Sequence, residues 1–478
     1  MSSATQSSAS LRIASLLDEN SFVEIGGLVT ARATDFNMEP KETPSDGVIT
    51  GYGVIDGNLV YIYSQDASVM NGSIGEMHAK KIIHLYDMAM KMGAPIIGLL
   101  DSAGLRLQEG TDAMNAFGQI YAKQVMASGV IPQITGIFGK CGGGLSLFST
   151  LTDFTFMEEK EGKLYLNSPN ALDGNYEGKC DTASAKFQSE SSGIVDRMGT
   201  ESSILEQIRE LICMLPQNNE EDAKEDECTD QLNRTCPALE QYVGDPAIAL
   251  SQISDNGVFF EIKENYAKDM VTGFLKLNGM TVGVVANRTE IIGEDEKVAK
   301  KYDAVLSCNG CYKAGDFIQF CDAFHIPLLS LTNVKGFEAT IESEKGMATA
   351  VAKLTYAFAN ATVPKVNIIV GKAYGSAGIV MNSKAIGADL TFAWTDAKNG
   401  TMDPKLAAQI MYHGKGKDVV DKKAKEYEAL QLNVTQAARR GYVDQIIEAK
   451  DTRKYVIGAF EMLYTKREER PGKKHGTV

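Results

Sequence analysis

The sequence predicts an α/β protein built as two tandem domains of one plan, the product of an internal duplication. One glycine elbow occurs twice, as FGKCGGG around Lys140 and VGKAYGS around Lys372. Gly139 therefore pairs with Gly371, Lys140 with Lys372 and Gly143 with Gly375 at an offset of 232 residues (371 − 139 = 232). The same offset pairs Pro95 with Pro327, Gly104 with Gly336 and Pro132 with Pro364. Each copy also keeps one order. A Pro leads into an apolar run (PIIGLLDSAG from Pro95, PLLSLTNVKG from Pro327), a helical stretch follows, and a second Pro and apolar run end at the elbow. Short β-type runs that break at Gly and precede helix-period segments read as strand, turn, helix units.

From the N-terminus, LRIASLLDENSFVEI predicts a short amphipathic helix and then a strand, opening a first domain over 10–215. EMHAKKIIHLYDM places Met77, Ile82, Leu85 and Met88 or Ala89 on one helical face, and Gly93 supplies the stop. The tetrapeptide AMKM at 89–92 is the sequence that carries biotin in carrier domains, where it sits in a hairpin turn. On this helix Lys91 is expected to be an ordinary last-turn lysine, favoured by the dipole. The acidic stretch between Pro216 and Pro237 is almost free of large apolar residues and reads as a linker over 216–237. The second domain, 238–478, closes with strand-like VDQIIEA, a helix from Thr452 and an exposed basic tail, PGKKHGTV.

A chain of 478 residues is long enough for several cores, and the duplication sets the number of domains at two. Hydrophobic residues at 44% and charged ones at 23% fit a soluble globular protein. A net charge of −14 argues against nucleic acid as a partner, although Lys80 and Lys81 could hold a small anion. MSSATQSSAS lacks the basic and apolar regions of a secretory signal, and no apolar run is long enough to span a membrane. The expected location is the cytoplasm, with docking on a membrane partner left open. Eight scattered cysteines suggest reduced thiols, and the lone Cys308/Cys311 pair is an incomplete zinc site, so no metal is expected.

At a strand-to-helix elbow the first N–H groups of the helix are unpaired and can bind an oxyanion. Two elbows suggest two such sites. The sequence has only five histidines (His78, His84, His325, His413 and His475), and no Ser, His and Asp arrangement surrounds either elbow.

Longer segments extend the picture. SQDASVMNGSIGEMHAKKI from Ser64, AMKMGAPIIGLLDSAGLRLQEG from Ala89, GKCGGG from Gly139 and LTDFTFM from Leu151 lie in the first half. FFEIKENYAKDMVTGFLKLNG from Phe259, FCDAFHIPL from Phe320, YAFANATVPK from Tyr356 and KAYGSAGIVMNSK from Lys372 lie in the second. Together they resemble the carboxyltransferase subunits of biotin-dependent acyl-CoA carboxylases and of the sodium-pumping acyl-CoA decarboxylases. The resemblance implies two crotonase-like domains in a homo-oligomer, a hexamer of two stacked trimers. The first domain of one subunit would face the second of another, the first holding acyl-CoA and the second biotin. Biotin would arrive on a separate carrier protein, and the further partner would be a biotin carboxylase or a membrane decarboxylase subunit.

By the same resemblance, carboxyl transfer passes through an enolate oxygen on the thioester and a ureide oxygen on biotin. Gly143 and Gly144 would supply main-chain N–H groups to the first, Ser376 and Ala377 to the second, with Gly142 and Gly375 completing the elbows. The biotin anion can take the α proton, so no protein base is required. Gly104, Leu105 and Arg106 belong to a loop that lies by CoA in the family. The turn from Asn71 to Glu76, with Gly72, would cradle CoA phosphates or simply start a helix.

The second half departs from the family pattern at Lys335–Phe337, at the run from Met347 and at Trp394–Lys398. Ile379 lines the acyl pocket in the family, stands where many carboxylases have Asp and leans towards the decarboxylases. The competing readings are a biotin-independent crotonase-type acyl-CoA enzyme and an inactive scaffolding subunit.

Overall fold

The chain divides into two compact units, Met1–Asp222 and Ala223–Val478. The computed structural model describes residues 7–32 and 42–478, so Met1–Gln6 of the stretch judged not to be a secretory signal lie outside the described residues.

In the first unit Ser7 caps the helix Ser8–Leu16 by accepting the Ser10 N–H. Strands β1 (Val23–Glu24), β2 (Val48–Ile55), β3 (Asn58–Gln65), β4 (Ile96–Ser102), β5 (Gln133–Gly142), β6 (Phe154–Glu158), β7 (Lys163–Tyr165) and β8 (Arg197–Gly199) form one sheet. Its order is β1-β2-β3-β4-β5-β6-β8, with β7 beside the end of β5. Pairing is antiparallel from β1 to β3 and parallel from β3 onward. The helices Glu76–Met92 and Gly110–Ala127 make the parallel crossovers. Because β4 and β5 are covered, their sequences run apolar for most of their length instead of alternating.

The helix Glu76–Met92 buries Ala79, Ile82, Leu85 and Ala89 and ends at Gly93 in the left-handed conformation (φ 61°). The buried face is rotated slightly from the expected one. His78 and Lys81 go inside, and Met77 and Met88 are only half-buried. Lys91 sits exposed in the last turn.

The second unit has β9 (Phe259–Ile262), β10 (Met270–Leu277) and β11 (Met280–Asn287), then a small ribbon of β12 (Glu290–Ile292) and β13 (Val298–Lys301). β14 (Val305–Leu306) pairs with β16 (Gly336–Phe337), flanking β15 (Leu328–Val334) in sequence. β17 (Lys365–Tyr374), β18 (Leu390–Trp394), β19 (Lys398–Gly400) and β20 (Gln445–Ile447) complete a sheet ordered β20-β18-β17-β15-β11-β10-β9, with β19 beside β17. It repeats the first sheet strand for strand.

Strands β4 and β15, like β5 and β17, start 232 residues apart (328 − 96 and 365 − 133). The offset becomes 236 between β6 and β18 (390 − 154) and 248 between β8 and β20 (445 − 197). The longer segment between β19 and β20 holds two helices, Pro404–Met411 and Lys417–Tyr427, packed together on Ala408, Val420 and Ala424. The boundary between units falls inside the acidic segment expected as a linker. Residues 223–237 belong to the second unit, where the Thr281 N–H donates to Lys224 O at 2.8 Å, Asp226 N–H to Gly279 O at 3.0 Å and Cys236 N–H to Lys450 O at 2.8 Å.

Candidate active site

The first elbow begins where β5 ends. Gly142 is extended, Gly143 takes φ +61°, and a tight turn over Gly143–Leu145 runs into the helix Ser146–Thr150. A positive φ costs little only for glycine. The elbow's carbonyls are tied back: Ser146 Oγ donates to Gly143 O and Tyr121 Oη to Gly144 O, both at 2.7 Å. No side chain caps the turn, and first-turn N–H groups have no carbonyl four residues behind them. Gly143 and Gly144 can therefore offer donors to an anionic oxygen.

The loop after β4 lies beside this elbow. A Cβ placed on Gly104 would be 3.8 Å from Gly142 O. The loop is zipped to the turn before the helix Glu76–Met92. Ala103 N–H donates to Asn71 O at 2.9 Å, Ile74 N–H to Gly104 O at 2.8 Å and Arg106 N–H to Ile74 O at 3.0 Å. Ser102 Oγ donates to Gly72 O at 2.7 Å. The structure thus brings Gly72, Gly104, Leu105, Arg106, Gly142, Gly143 and Gly144 together within the first unit.

Two sequence expectations need correction. The Arg106 side chain is 1% exposed and points inward. Its Nη1 bonds Asp46 Oδ1 at 2.8 Å and Glu109 Oε1 at 2.9 Å, its Nη2 donates to Ser73 O at 2.7 Å and its Nε to Ser73 Oγ at 3.3 Å. With its donors engaged, the guanidinium holds the loop and does not face a ligand. The helix start at Gly75 and Glu76 is likewise occupied, because the Glu76 N–H donates to Glu109 Oε2 at 2.6 Å. A carboxylate already sits where a CoA phosphate was expected. Lys80 pairs with Glu76 at 2.7 Å, and Lys81 is buried, donating to Ser45 O at 3.1 Å and also to Val48 O. Neither is a free anion site. Burial pushes the Asp46 carboxyl above the usual carboxylate range while Arg106 pulls it down. Asp46 gave no sequence signal, since only the fold brings it to Arg106 across sixty positions.

The second elbow follows β17. Tyr374 is extended, Gly375 has φ +56°, and the helix Gly375–Val380 begins at once without a side-chain cap. Ser376 and Ala377 occupy its first turn, Ser376 exposed and Ala377 buried. Gly375 and Ile379 line a cavity of about 530 Å³ with Asn367, Thr391, Tyr427 and Arg440 among its other walls. No carboxylate lines this cavity, and the 2%-exposed Thr391 has an unpartnered Oγ1. Sequence reasoning missed these deeper walls because they come from β17, β18 and helices more than fifty positions beyond the elbow.

Among the described residues there is no cluster that could hold a metal ion, all eight cysteines are free, and no helix is long and apolar enough to cross a membrane. Cys311 of the CxxC pair is buried in a helix, and burial pushes its thiol up to about 12.

The carboxyl transferase domain family matches residues 4–478. The methylmalonyl-CoA decarboxylase subunit alpha of Propionigenium modestum is 40% identical over 486 residues, covering 98% of this chain and 92% of the relative. The propionyl-CoA carboxylase beta chain of Roseobacter denitrificans is 38% identical over 481 residues, with 98% and 92% covered. A solved transcarboxylase 12S hexamer core, with methylmalonyl-CoA and methylmalonic acid bound, superposes with a TM-score of 0.92 at 34% identity over 99% of this chain and 92% of that one. The two crotonase-like α/β units thus share the fold of the transcarboxylase core, and this chain belongs to the carboxyl transferase domain family.

Proposed function

We propose that this protein moves a carboxyl group between carboxybiotin on a separate carrier protein and the α carbon of a short-chain acyl-CoA, as one subunit of an acyl-CoA carboxylase or decarboxylase complex. The observation that carries the reading is the repeated elbow. Each copy presents first-turn amides behind a left-handed glycine, and both reactants develop negative charge on a carbonyl oxygen. In this reading Gly143 and Gly144 donate to the thioester oxygen. Gly142 and Gly104 border that oxygen, and Gly72, Leu105 and Arg106 hold the loop in place. Ser376 and Ala377 donate to the biotin carbonyl.

The cavity beside Gly375 fits the biotin ring. It has apolar walls at Ile369 and at Ile379, the residue expected to border the acyl group, and no carboxylate among its lining residues to repel an anion. When bound, biotin supplies the carboxyl carrier and the base. The chain's own residues orient both oxygens and hold their charge.

The transcarboxylase core is a hexamer, and we carry that assembly over to this chain, with acyl-CoA on one subunit and biotin on its neighbour. Direction then follows from the partner. A biotin carboxylase drives carboxylation, and a membrane decarboxylase subunit, docked to this chain on the cytoplasmic face, drives the reverse.

The test mixes purified protein, carboxybiotin carrier and acetyl-, propionyl-, butyryl- or crotonyl-CoA, and follows labelled carboxyl transfer in both directions. Transfer to at least one acyl-CoA is expected, and none with any of them overturns the reading. Gly143→Pro deletes one thioester donor and also cannot hold the positive φ of this turn, so it should lower the rate by at least about 10²–10³-fold. A folded variant with full activity would remove Gly143 from the site.

A further inference from the structure

Oxyanion binding does not explain why a further glycine stands before each elbow, at Gly139 and Gly371. The strand ladders do. Between β4 and β5, Leu100 faces Ile137 and Ser102 faces Cys141, so Asp101 alone stands opposite residues 138–140. Between β15 and β17, Thr332 faces Ile369 and Val334 faces Ala373, so Asn333 alone stands opposite residues 370–372. The two bulges sit at the same offset of 232 (333 − 101), and a bulge re-aims whatever follows it.

In each bulge a side-chain oxygen fills the gap. A Cβ on Gly139 would lie 2.0 Å from Asp101 Oδ1, and one on Gly371 would lie 2.4 Å from Asn333 Oδ1. In the second unit the Lys372 N–H donates to Asn333 Oδ1 at 3.1 Å, three residues before Gly375. A carboxamide from the next strand holds the bulge residue from behind. Asp101 N–H donates to Gln65 Oε1 at 3.2 Å, and Asn333 N–H to Asn287 Oδ1 at 3.0 Å. Gln65 and Asn287 are the last residues of the corresponding strands β3 and β11. Asn287 is 5% exposed, and its Nδ2 also reaches Met381 Sδ at 3.7 Å, immediately after the elbow helix. It therefore touches the chain after Gly375–Val380 directly and is linked to the chain before it through Asn333.

We propose that Asn287 and Asn333 are positioning residues for carboxyl transfer, a carboxamide relay running from buried Asn287 through half-buried Asn333 that aims the Ser376 and Ala377 amides. This rests on reading the second elbow as the biotin-side oxyanion site. Gln65 and Asp101 make the matching link in the first unit, where Arg12 meets the Asp101 charge at 3.4 Å.

The test uses the intact oligomer with carboxybiotin carrier and propionyl-CoA. Asn333→Ala removes the acceptor of the Lys372 N–H and should lower kcat roughly 10–100-fold, because a small misaim costs rate. KM for propionyl-CoA should stay within about twofold, because the first elbow is untouched. Asn333→Asp, which keeps a side-chain oxygen at this position to accept the Lys372 N–H, should recover kcat to within about threefold of wild type. Hydrogen exchange over 365–380 should quicken in Asn333→Ala and return towards wild type in Asn333→Asp.

An active wild type with an equally active Asn333→Ala overturns the proposal. So does a loss that Asn333→Asp fails to rescue, or one that carries the propionyl-CoA KM with it. A wild type that transfers no carboxyl group overturns instead the functional reading on which the proposal stands.

Discussion

Removing the Arg106 guanidinium would strand two carboxylates, Asp46 and Glu109, in the interior of the first unit, where both side chains are at most 1% exposed. Breaking a buried ion pair from one side costs about 3–5 kcal/mol. Arg106→Met is therefore expected to lower the first unit's melting temperature by roughly 6–20 °C, as calorimetry of the full chain would show. A shift under two or three degrees would mean that the cluster holds nothing. His78 lies beside this cluster. Asp46 O can only accept, so the Nδ1 of His78, 2.9 Å away, carries the proton and Nε2 is left as the acceptor for the Gln65 amide at 3.3 Å. Burial, helped by the Arg106 charge, pushes the imidazole down to about 3. The unfolded chain takes up that proton near 6.5 and the folded chain resists until about 3. The stabilisation is thus complete above pH 6.5 and fades as pH falls towards 3. His78→Asn keeps a donor for Asp46 O but does not titrate. Between pH 6.5 and 4.5 the wild type should lose more melting temperature than this variant, and parallel losses would contradict the assignment. Arg106 was legible in the sequence as a residue with a polar task, but its direction was not, since its partner Asp46 lies sixty positions upstream.

At the scale of elements, the duplication extends to a buried lysine. Lys81 and Lys313 stand 232 residues apart (313 − 81) on corresponding helices. Lys313 Nζ donates to Lys263 O, Tyr266 O and Met270 O at 2.7–2.9 Å, and Lys81 Nζ reaches Ser45 O and Val48 O. Met270 and Val48 both begin the strand that each loop enters, so each lysine fastens that loop to its helix. Replacing either by Met leaves buried carbonyls unsatisfied, at about 1–3 kcal/mol or more. Lys81→Met should weaken the first unit and Lys313→Met the second, which limited proteolysis can distinguish by which half is cut first. The strands and elbows were readable from Pro, apolar run and Gly. The bulges were not, because a bulge exists only relative to the strand it pairs with, and one sequence does not state the pairing.

For the whole molecule, the repeated plan was plain in the sequence because the elbows, prolines and Gly104 share one spacing. The linker was legible only as composition. Acidic side chains there leave the main chain free to bond with β11 and the C-terminal segment, which no charge count reveals. If the reacting groups come from different subunits, specific activity must fall when the assembly is diluted apart. Transfer assays run beside sedimentation velocity should show both falling together, and a fully active monomer would refute the shared site.

The widening spacing between the two copies has a consequence of its own. Up to the elbow the halves stay in step, and beyond it the second copy gains chain, part of it in the paired helices between Pro404 and Tyr427. Tyr427 and Gln431, at the end of that longer stretch, line the cavity at Gly375. Under the proposed function, two halves of one plan are thus fitted to two unlike guests by a longer rim on one, while the ladder that forms each elbow is common to both.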